Sequence, residues 1–354
     1  DAQESRGLGD VYKRQGRDRT IIDKDKCVRC GRCHDACPYS AIVKYERPCA
    51  AACGVNAIGS DEYGRADIDH DKCVACGRCI AECPFGAISD KTQIFQLIKA
   101  IKSGKKVYGA IAPSYIGQFG ANTSAKQIIE AIKQLGFEDV LEVALGADLT
   151  TLHEAKEYLE RVPEDIPFMG TSCCFSWTLM IRNEFPEFFE QVSDSGSPMR
   201  YTANHIKEKD PDAVVVFIGP CTSKKLEAID TKVKSDVDFV ITFEELMGMF
   251  VAKDIEPSEI KVEEDVEDGS ALGRGYPIAG GVAESVKIVA EKMNPDKDIH
   301  IQGAHTLSEC MKMLKIAKAG KLDGYLLEGM ACPGGCIAGV GTCLLYTSPS
   351  PRDS

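Results

Sequence analysis

Two runs of cysteine constrain this chain more than any other feature. Cys27-Val-Arg-Cys30-Gly-Arg-Cys33-His-Asp-Ala-Cys37-Pro38 and Cys73-Val-Ala-Cys76-Gly-Arg-Cys79-Ile-Ala-Glu-Cys83-Pro84 share the spacing C-x2-C-x2-C-x3-C-P. Close spacing lets three thiolates grip one face of a cubane 4Fe–4S cluster, and the proline stops the chain after the fourth. A zinc site needs four ligands per ion and gives no reason for such a run. Ten of the 17 cysteines fall between Cys27 and Cys83 in metal-ligand patterns. That spacing argues against a disulfide framework and for a reducing compartment, expected to be the cytoplasm of an anaerobe.

Residues 16–95 resemble a bacterial ferredoxin-like 2x(4Fe-4S) domain of α+β type. In two-cluster ferredoxins the fourth cysteine of each run ligates the other cluster. The resemblance therefore implies Cys27, Cys30, Cys33 and Cys83 on one cluster and Cys73, Cys76, Cys79 and Cys37 on the other. An internal repeat complicates this. Cys37-Pro-Tyr-Ser-Ala-Ile, Cys53-Gly-Val-Asn-Ala-Ile and Cys83-Pro-Phe-Gly-Ala-Ile are three copies of one ending, and the middle copy follows Pro48-Cys49-Ala-Ala-Ala. Cys49 and Cys53 look like the remnant of a third run, and Cys53 is a candidate to replace Cys37. The preferred alternative makes both buried thiols near the clusters, because eight other cysteines already satisfy two clusters. His34 reads as an outward-facing loop residue. This domain is expected to relay electrons.

The second half carries its cysteines in three separated segments: Thr171-Ser-Cys173-Cys174-Phe-Ser-Trp177, Gly219-Pro-Cys221-Thr-Ser-Lys224-Lys-Leu-Glu227 and Glu328-Gly-Met330-Ala-Cys332-Pro-Gly-Gly-Cys336. No one segment has enough thiols for a cluster. Pooled, Cys174, Cys221, Cys332 and Cys336 supply the four that a cubane takes, with Cys173 left over. The surrounding pattern alternates short apolar runs with amphipathic stretches. Strands are expected at 107–111, 140–144, 167–169, 213–218, 239–242, 299–302 and near Leu326. Helices are expected at 93–103, 123–135, 150–161, 244–252, 282–292 and 306–319. Such alternation implies parallel sheets covered by helices, with sites at the carboxyl ends of strands. Each cysteine segment follows an expected strand.

These three segments, with Ala112-Pro113-Ser114, resemble the signature segments of iron–iron (FeFe) hydrogenases, in the family's order and across nearly all of residues 105–342. The resemblance implies a two-lobed α/β H-cluster domain over residues 96–342, with small parallel sheets flanked by helices and the active cluster between the lobes. The H-cluster is a 4Fe–4S cubane joined through one cysteine to a two-iron unit with CO, CN and a bridging dithiolate. Carried over, Cys174, Cys221, Cys332 and Cys336 ligate the cubane, and Cys336 bridges to the two-iron unit. Cys173 shuttles a proton, Lys224 donates to one cyanide, Ser114 and the backbone near Pro113 contact the other, and Met330 packs on the two irons. Glu154, Glu157 and Arg161 share one face of the expected helix at i, i+3 and i+7. With Ser193 they match the family's proton route, whereas on residue pattern alone they read as a solvated, salt-bridged face. Phe175, Gly219 and Met199 depart from the family, where proline, methionine and glutamine stand; the departures imply a divergent subgroup. Cys310 reads as a core thiol, Trp177 as packing beside the cluster loop, and His153 as a surface residue.

The implied activity is reversible oxidation of H2 and reduction of protons, with a soluble ferredoxin or similar carrier as partner and maturation proteins supplying the two-iron unit. Rival readings are a hydrogen-sensing member, an iron–sulfur assembly protein related to hydrogenases, and a generic electron-transfer protein. Retention of Cys173, Lys224 and Met330 speaks against the assembly reading. A net charge of -12 argues against a nucleic-acid partner, and no apolar run is long enough to span a membrane. Arg6–Gln15 and Cys343–Ser354 match neither neighbour and resemble translated sequencing-adapter read-through from a metagenomic fragment. Segments 1–15 and 343–354 are therefore set aside as artefact, and the natural chain is expected to begin before Gly16 and continue past Thr342. Loss of C-terminal helices is expected to leave the fragment poorly stable.

Overall fold

The computed structural model describes residues 22–343 apart from 24–25, 29, 40, 43–46, 121 and 263–267. The adapter-like segments, save Cys343, lie outside the described residues.

In the N-terminal part the chain makes only short pieces of regular structure. An antiparallel pair, β1 (Ile58–Ser60) and β2 (Ala66–Ile68), registers Ile58 with Ile68. Around it sit one-turn helices at Arg32–Asp35, Pro48–Ala51 and Arg78–Ala81. Gly31 and Gly77, which precede two of them, take left-handed φ of 76° and 71°. Glycine meets that conformation without a Cβ penalty, which lets the cysteine runs reverse tightly.

Beyond this part the expected βα alternation is present. β3 (Val107–Ile111), β4 (Asp139–Glu142), β6 (Val214–Gly219) and β7 (Phe239–Thr242) form one sheet in the order β4-β3-β6-β7. β5 (Met169–Gly170), β8 (His300–His305) and β9 (Tyr325–Met330) form a second in the order β5-β9-β8. Every pairing in both sheets is parallel. β6 is buried at all six positions, as a strand covered on both faces must be. Helices Ala125–Gln134 and Pro198–Lys209 supply Ile128, Ile132, Met199 and Ile206 to the core around the first sheet. Each such side chain contributes about 1.5–3 kcal/mol by leaving water.

Helices Ala144–Arg161 and Gly281–Met293 contribute Ala155, Tyr158, Ala283 and Val286 to a core with Met169 and Leu326 of the second sheet. Helix Leu307–Lys318 belongs to another core, which also takes in Trp177, Leu327 and the N-terminal Val55, Ala57 and Val74. The N-terminal part is therefore anchored on the second sheet. Ser176 Oγ donates to Val74 O at 2.9 Å and Thr222 Oγ1 to Ala75 O at 2.9 Å, which ties the second cysteine run to two of the cysteine-bearing loops.

Several expected bounds shift. The helix expected from Thr150 begins at Ala144, and β4 ends at Glu142 where a strand to Ala144 was expected. Ala144, Ala147, Thr151 and Ala155 lie inward at helical spacing, so burial favours the longer helix. β8 runs to His305, three residues past expectation. Helices Phe175–Glu184, Pro198–Lys209 and Ser223–Ile229 were not expected. The first of these buries Phe175, Ser176, Trp177, Leu179, Met180 and Ile181, so its polar side is narrow, with Thr178 and Arg182 on the open cleft, and gives little sign of the helical period. Among the described residues no helix is long and apolar enough to cross a membrane.

Candidate functional site

Four strand ends supply one site. Ala112–Ser114 follow β3, Cys173 and Cys174 follow β5, Cys221 follows β6, and Cys332 follows β9. Parallel strands leave these loops at the carboxyl edges of the two sheets, where open α/β folds build their sites. Cys173, Cys174, Cys221 and Cys336 line a cavity of ≈ 90 Å³, and Ala112, Pro113, Ser114, Lys224 and Met330 complete much of its wall. Residues from both sheets thus face the same space.

The thiols of the three segments lie near one another. Cys332 has Cys221, Cys336 and Cys174 as neighbours, and Cys336 has Cys221 and Cys174. Burial pushes the Cys221 thiol up to about 11, and raises Cys174, Cys332 and Cys336 as well. Buried thiols that crowd one another keep their protons unless a cation offsets the charge. Among the described residues no three cysteine sulfurs lie within 4.8 Å of one another. A single tetrahedral zinc would draw its sulfurs to about 3.8 Å separations. Four thiols from three loops suit a cluster whose four irons each take one thiolate.

Beside the thiols the wall carries polar groups that the protein leaves available. Ser114 Oγ is buried without a hydrogen-bond partner. Lys224 Nζ donates to Glu227 Oε2 at 2.5 Å and to Cys173 O at 3.0 Å. Burial pulls the Lys224 pKa down, but the Glu227 carboxylate more than offsets this, so the ammonium is retained. A buried cation and a free hydroxyl on the wall of an apolar cavity suit small anionic ligands.

A series of side chains leads away from Cys173. Glu154 is fully buried; its Oε1 accepts from Ser172 N at 2.7 Å and Ser172 Oγ at 2.8 Å, while Oε2 has no partner. Burial pushes its pKa up to about 7, against the pull of the Ser172 hydrogen bonds. One turn on, Glu157 Oε2 accepts from Ser193 Oγ at 2.5 Å, and Arg161 Nη1 donates to Glu157 Oε1. Arg161 Nη2 also donates to Glu190 O at 2.8 Å. Glu157, Arg161 and Ser193 line a wide open cleft with His153 and Asp194. The structure thus brings together every residue expected on this route, with Glu154 at the inner end and Arg161 at the outer.

The three departures from the family all reach this region. A Cβ on Gly219 would lie 2.6 Å from Phe217 Cε1 and 3.1 Å from Ala112 Cβ, so the Phe217 ring occupies the space a longer side chain at 219 would need. Phe217, Phe175 and Met199 all line the cavity. Sequence reasoning missed Phe217, and also Tyr276, whose hydroxyl lies 2.8 Å from Thr151 Oγ1 on the cavity wall. It also missed Glu328, which is buried and accepts from Gly280 N and Ala283 N at 2.7 Å each. A lone acid ahead of Gly-Met-Ala-Cys carried the only available signal for Glu328. Cys310 is fully buried, and Trp177 Nε1 donates to Thr171 O at 3.1 Å beside the cysteine loop. His153 is exposed, with Nε2 3.9 Å from Asp194 Oδ1.

The N-terminal cysteines are placed differently. Cys27 and Cys30 are exposed. Cys73, Cys76 and Cys79 are neighbours, and Cys53 is beside them. Cys37 and Cys83 sit in loops whose own backbone N–H groups hold their thiols below the usual range. Cys49 is buried.

Comparison with known proteins agrees with this geometry. The family "Iron only hydrogenase large subunit, C-terminal domain" matches residues 105–340. A 4Fe-4S binding domain matches 20–43, and the LdpA Fe-S cluster-binding domain matches 43–94. Iron hydrogenase 1 of Clostridium pasteurianum is 33% identical over 90% of this chain, which spans 64% of that protein's length. The cytosolic Fe-S cluster assembly factor NAR1 of Kluyveromyces lactis is 29% identical over 40% of this chain and 32% of its own. The fold is also that of an apo variant of FeFe-hydrogenase HydA1 from Chlamydomonas reinhardtii, with a TM-score of 0.60 at 23% identity over 73% of this chain and 86% of that one. The match over 105–340, on a fold that gathers the four thiols at its strand ends, makes this chain a divergent member of the iron-only (FeFe) hydrogenase family.

Proposed function

We propose that the chain is a catalytic FeFe hydrogenase that interconverts H2 with protons and electrons, taking electrons from a ferredoxin-type carrier. The observation that carries this reading is the series Cys173, Glu154, Ser193–Glu157 and Arg161, which leads from the cavity to the open cleft. A protein that only holds or passes iron–sulfur clusters has no use for a buried acid at the inner end of such a series. Resemblance to the assembly factor supports the opposite reading, and the test below separates the two.

In this reading Cys174, Cys221, Cys332 and Cys336 would hold a cubane, and the adjoining cavity would take the two-iron unit. When bound, that H-cluster supplies the electron storage and the making and breaking of the H–H bond. Lys224 and Ser114, both on the cavity wall, would anchor its anionic ligands, and Met330 would exclude water beside them. Cys173 holds a proton at Sγ facing the cavity. Glu154, with a pKa of about 7, both accepts and releases a proton near neutral pH, as an efficient relay group must. Its unpartnered Oε2 is the atom free to take that proton. Ser193 and Glu157 hold it next, and Arg161 fixes Glu157 at the rim of the cleft. Electrons enter through the N-terminal part, where the loop at Cys76 packs against the loop at Cys221 through Thr222. We further propose residues 16–95 as this relay and 96–342 as the catalytic part.

The test is H2 evolution from reduced viologen by the anaerobically reconstituted chain supplied with a synthetic two-iron precursor. Turnover that Cys173→Ala abolishes supports the reading. Intact iron–sulfur clusters with no turnover in either protein support the non-catalytic relative.

A further inference from the structure

We propose that Cys53, and not Cys37, completes the four-thiolate set of Cys73, Cys76 and Cys79 around one 4Fe–4S cluster. The run-to-run spacing alone assigns that place to Cys37.

Three observations place Cys53 in the set. The first is proximity: Cys76 has Cys53, Cys79 and Cys73 as neighbours, and Cys79 has Cys73, Cys53 and, more weakly, Cys49, which does not reach Cys76 in the same way. The second is how the backbone brings them together. From Cys53 the chain runs through β1, reverses, and returns through β2, where Asp69 N donates to Ala57 O at 2.8 Å and Cys73 N to Asp69 O at 2.9 Å. This hairpin fixes Cys53 against Cys73. Cys53, Cys73 and Cys76 then pack on one apolar core that includes Val55, Ala57 and Val74. A Cβ on Gly54 would lie 2.8 Å from Leu307 Cβ, so the loop after Cys53 is pressed onto the helix at Leu307 and held in place.

The third observation is the local shape of the loop. Ala57 N donates to Cys53 Sγ at 3.2 Å, and Ala87 N donates to Cys83 Sγ at 3.3 Å. The Cys37 thiol is held by the N–H of Ala41 in the same way. The repeated Cys-x-x-x-Ala-Ile ending is thus one structural device in three copies, a thiol cradled by the backbone N–H four residues on. Cys53 therefore has the same equipment as the fourth cysteine of each complete run. On binding, its thiol gives up a proton to solvent as the sulfur bonds iron. Cys37 is released from this cluster.

This assignment concerns the relay alone and stands whether or not the chain turns over H2. Its test uses the full chain with clusters reconstituted anaerobically, and reads iron content and the electron paramagnetic resonance of the reduced clusters. Cys76→Ser marks the signal to follow, since it removes a ligand of the cluster in question, with a loss of about four irons. Cys53→Ser should lose the same signal and the same iron, and Cys53→Ser with Cys76→Ser should lose no more than either alone. Cys37→Ser should keep that signal. Loss of the signal in Cys37→Ser, or its survival in Cys53→Ser, would overturn the assignment. Were Cys53→Ser to fail to fold, Cys37→Ser would still decide.

Discussion

The two cysteine-rich regions are held in opposite ways. Around Cys174, Cys221, Cys332 and Cys336 the apolar cores come first: strand ends emerge from sheets such as the fully buried β6, and the thiols ride on them. In the N-terminal part the regular elements reach only three or four residues, and Cys27 and Cys30 are exposed. One region is a fold that builds a site. The other is a set of ligands whose metal must supply much of the order, as in small domains that cannot bury enough apolar surface on their own.

The largest effect should therefore come from iron removal. Anaerobic chelation followed by limited proteolysis should cut within residues 26–90 and leave a resistant fragment over the two sheets. Equal loss of both regions would show that the clusters hold the whole chain. Next in size is Glu154→Gln, which keeps the shape but removes the relay acid. Turnover should fall by about 10²–10⁴-fold, with the cluster spectra unchanged. The same variant has a stability signature. Glu154 is raised from 4.5 to about 7 in the folded protein, so its contribution to stability is fully present below pH 4.5 and lost as pH rises through about 7. Melting of the iron-free chain should show that decline in the parent and a flatter profile in Glu154→Gln.

A smaller effect tests how tightly the cavity wall is packed. Gly219→Met, which restores the residue found in the family, should destabilise by about 1–3 kcal/mol in thermal melts because Phe217 already fills the space. Adding Phe217→Ala should recover part of the loss. Smallest is Arg161→Ala. Its ion pair with Glu157 lies at the rim, with the Arg161 side chain 29% exposed. Such a pair is worth roughly 1 kcal/mol at most, so turnover should fall by no more than about fivefold.

The same contrast explains what was legible in the sequence. β3 and β7 stand at their expected bounds because short apolar runs between polar turns mark buried strands. The three cysteine segments of the inner site were legible as loops because each follows a strand, whereas Cys336 opens a short turn six residues past β9. The helix Phe175–Glu184 was not, since it is buried over most of its girth and its narrow polar side at Thr178 and Arg182 leaves little of the period visible. Phe217 was not legible as a wall residue either, because its exchange of space with Gly219 exists only in three dimensions. In the N-terminal part the run spacing identified the chemistry. The spacing could not show that Cys53 lies beside Cys76, because a neighbour from outside the run is set by chain path and not by spacing.

The central claim is that the cavity beside the four thiols takes a two-iron unit. Infrared spectroscopy of the anaerobically reconstituted chain, after incubation with the synthetic two-iron precursor, tests it most directly. Carbonyl and cyanide stretching bands from protein-bound iron, retained in Cys173→Ala while turnover is lost, are the expected result. Intact 4Fe–4S clusters with no such bands would mean that the site holds a cubane alone, and would place this chain with the non-catalytic relatives.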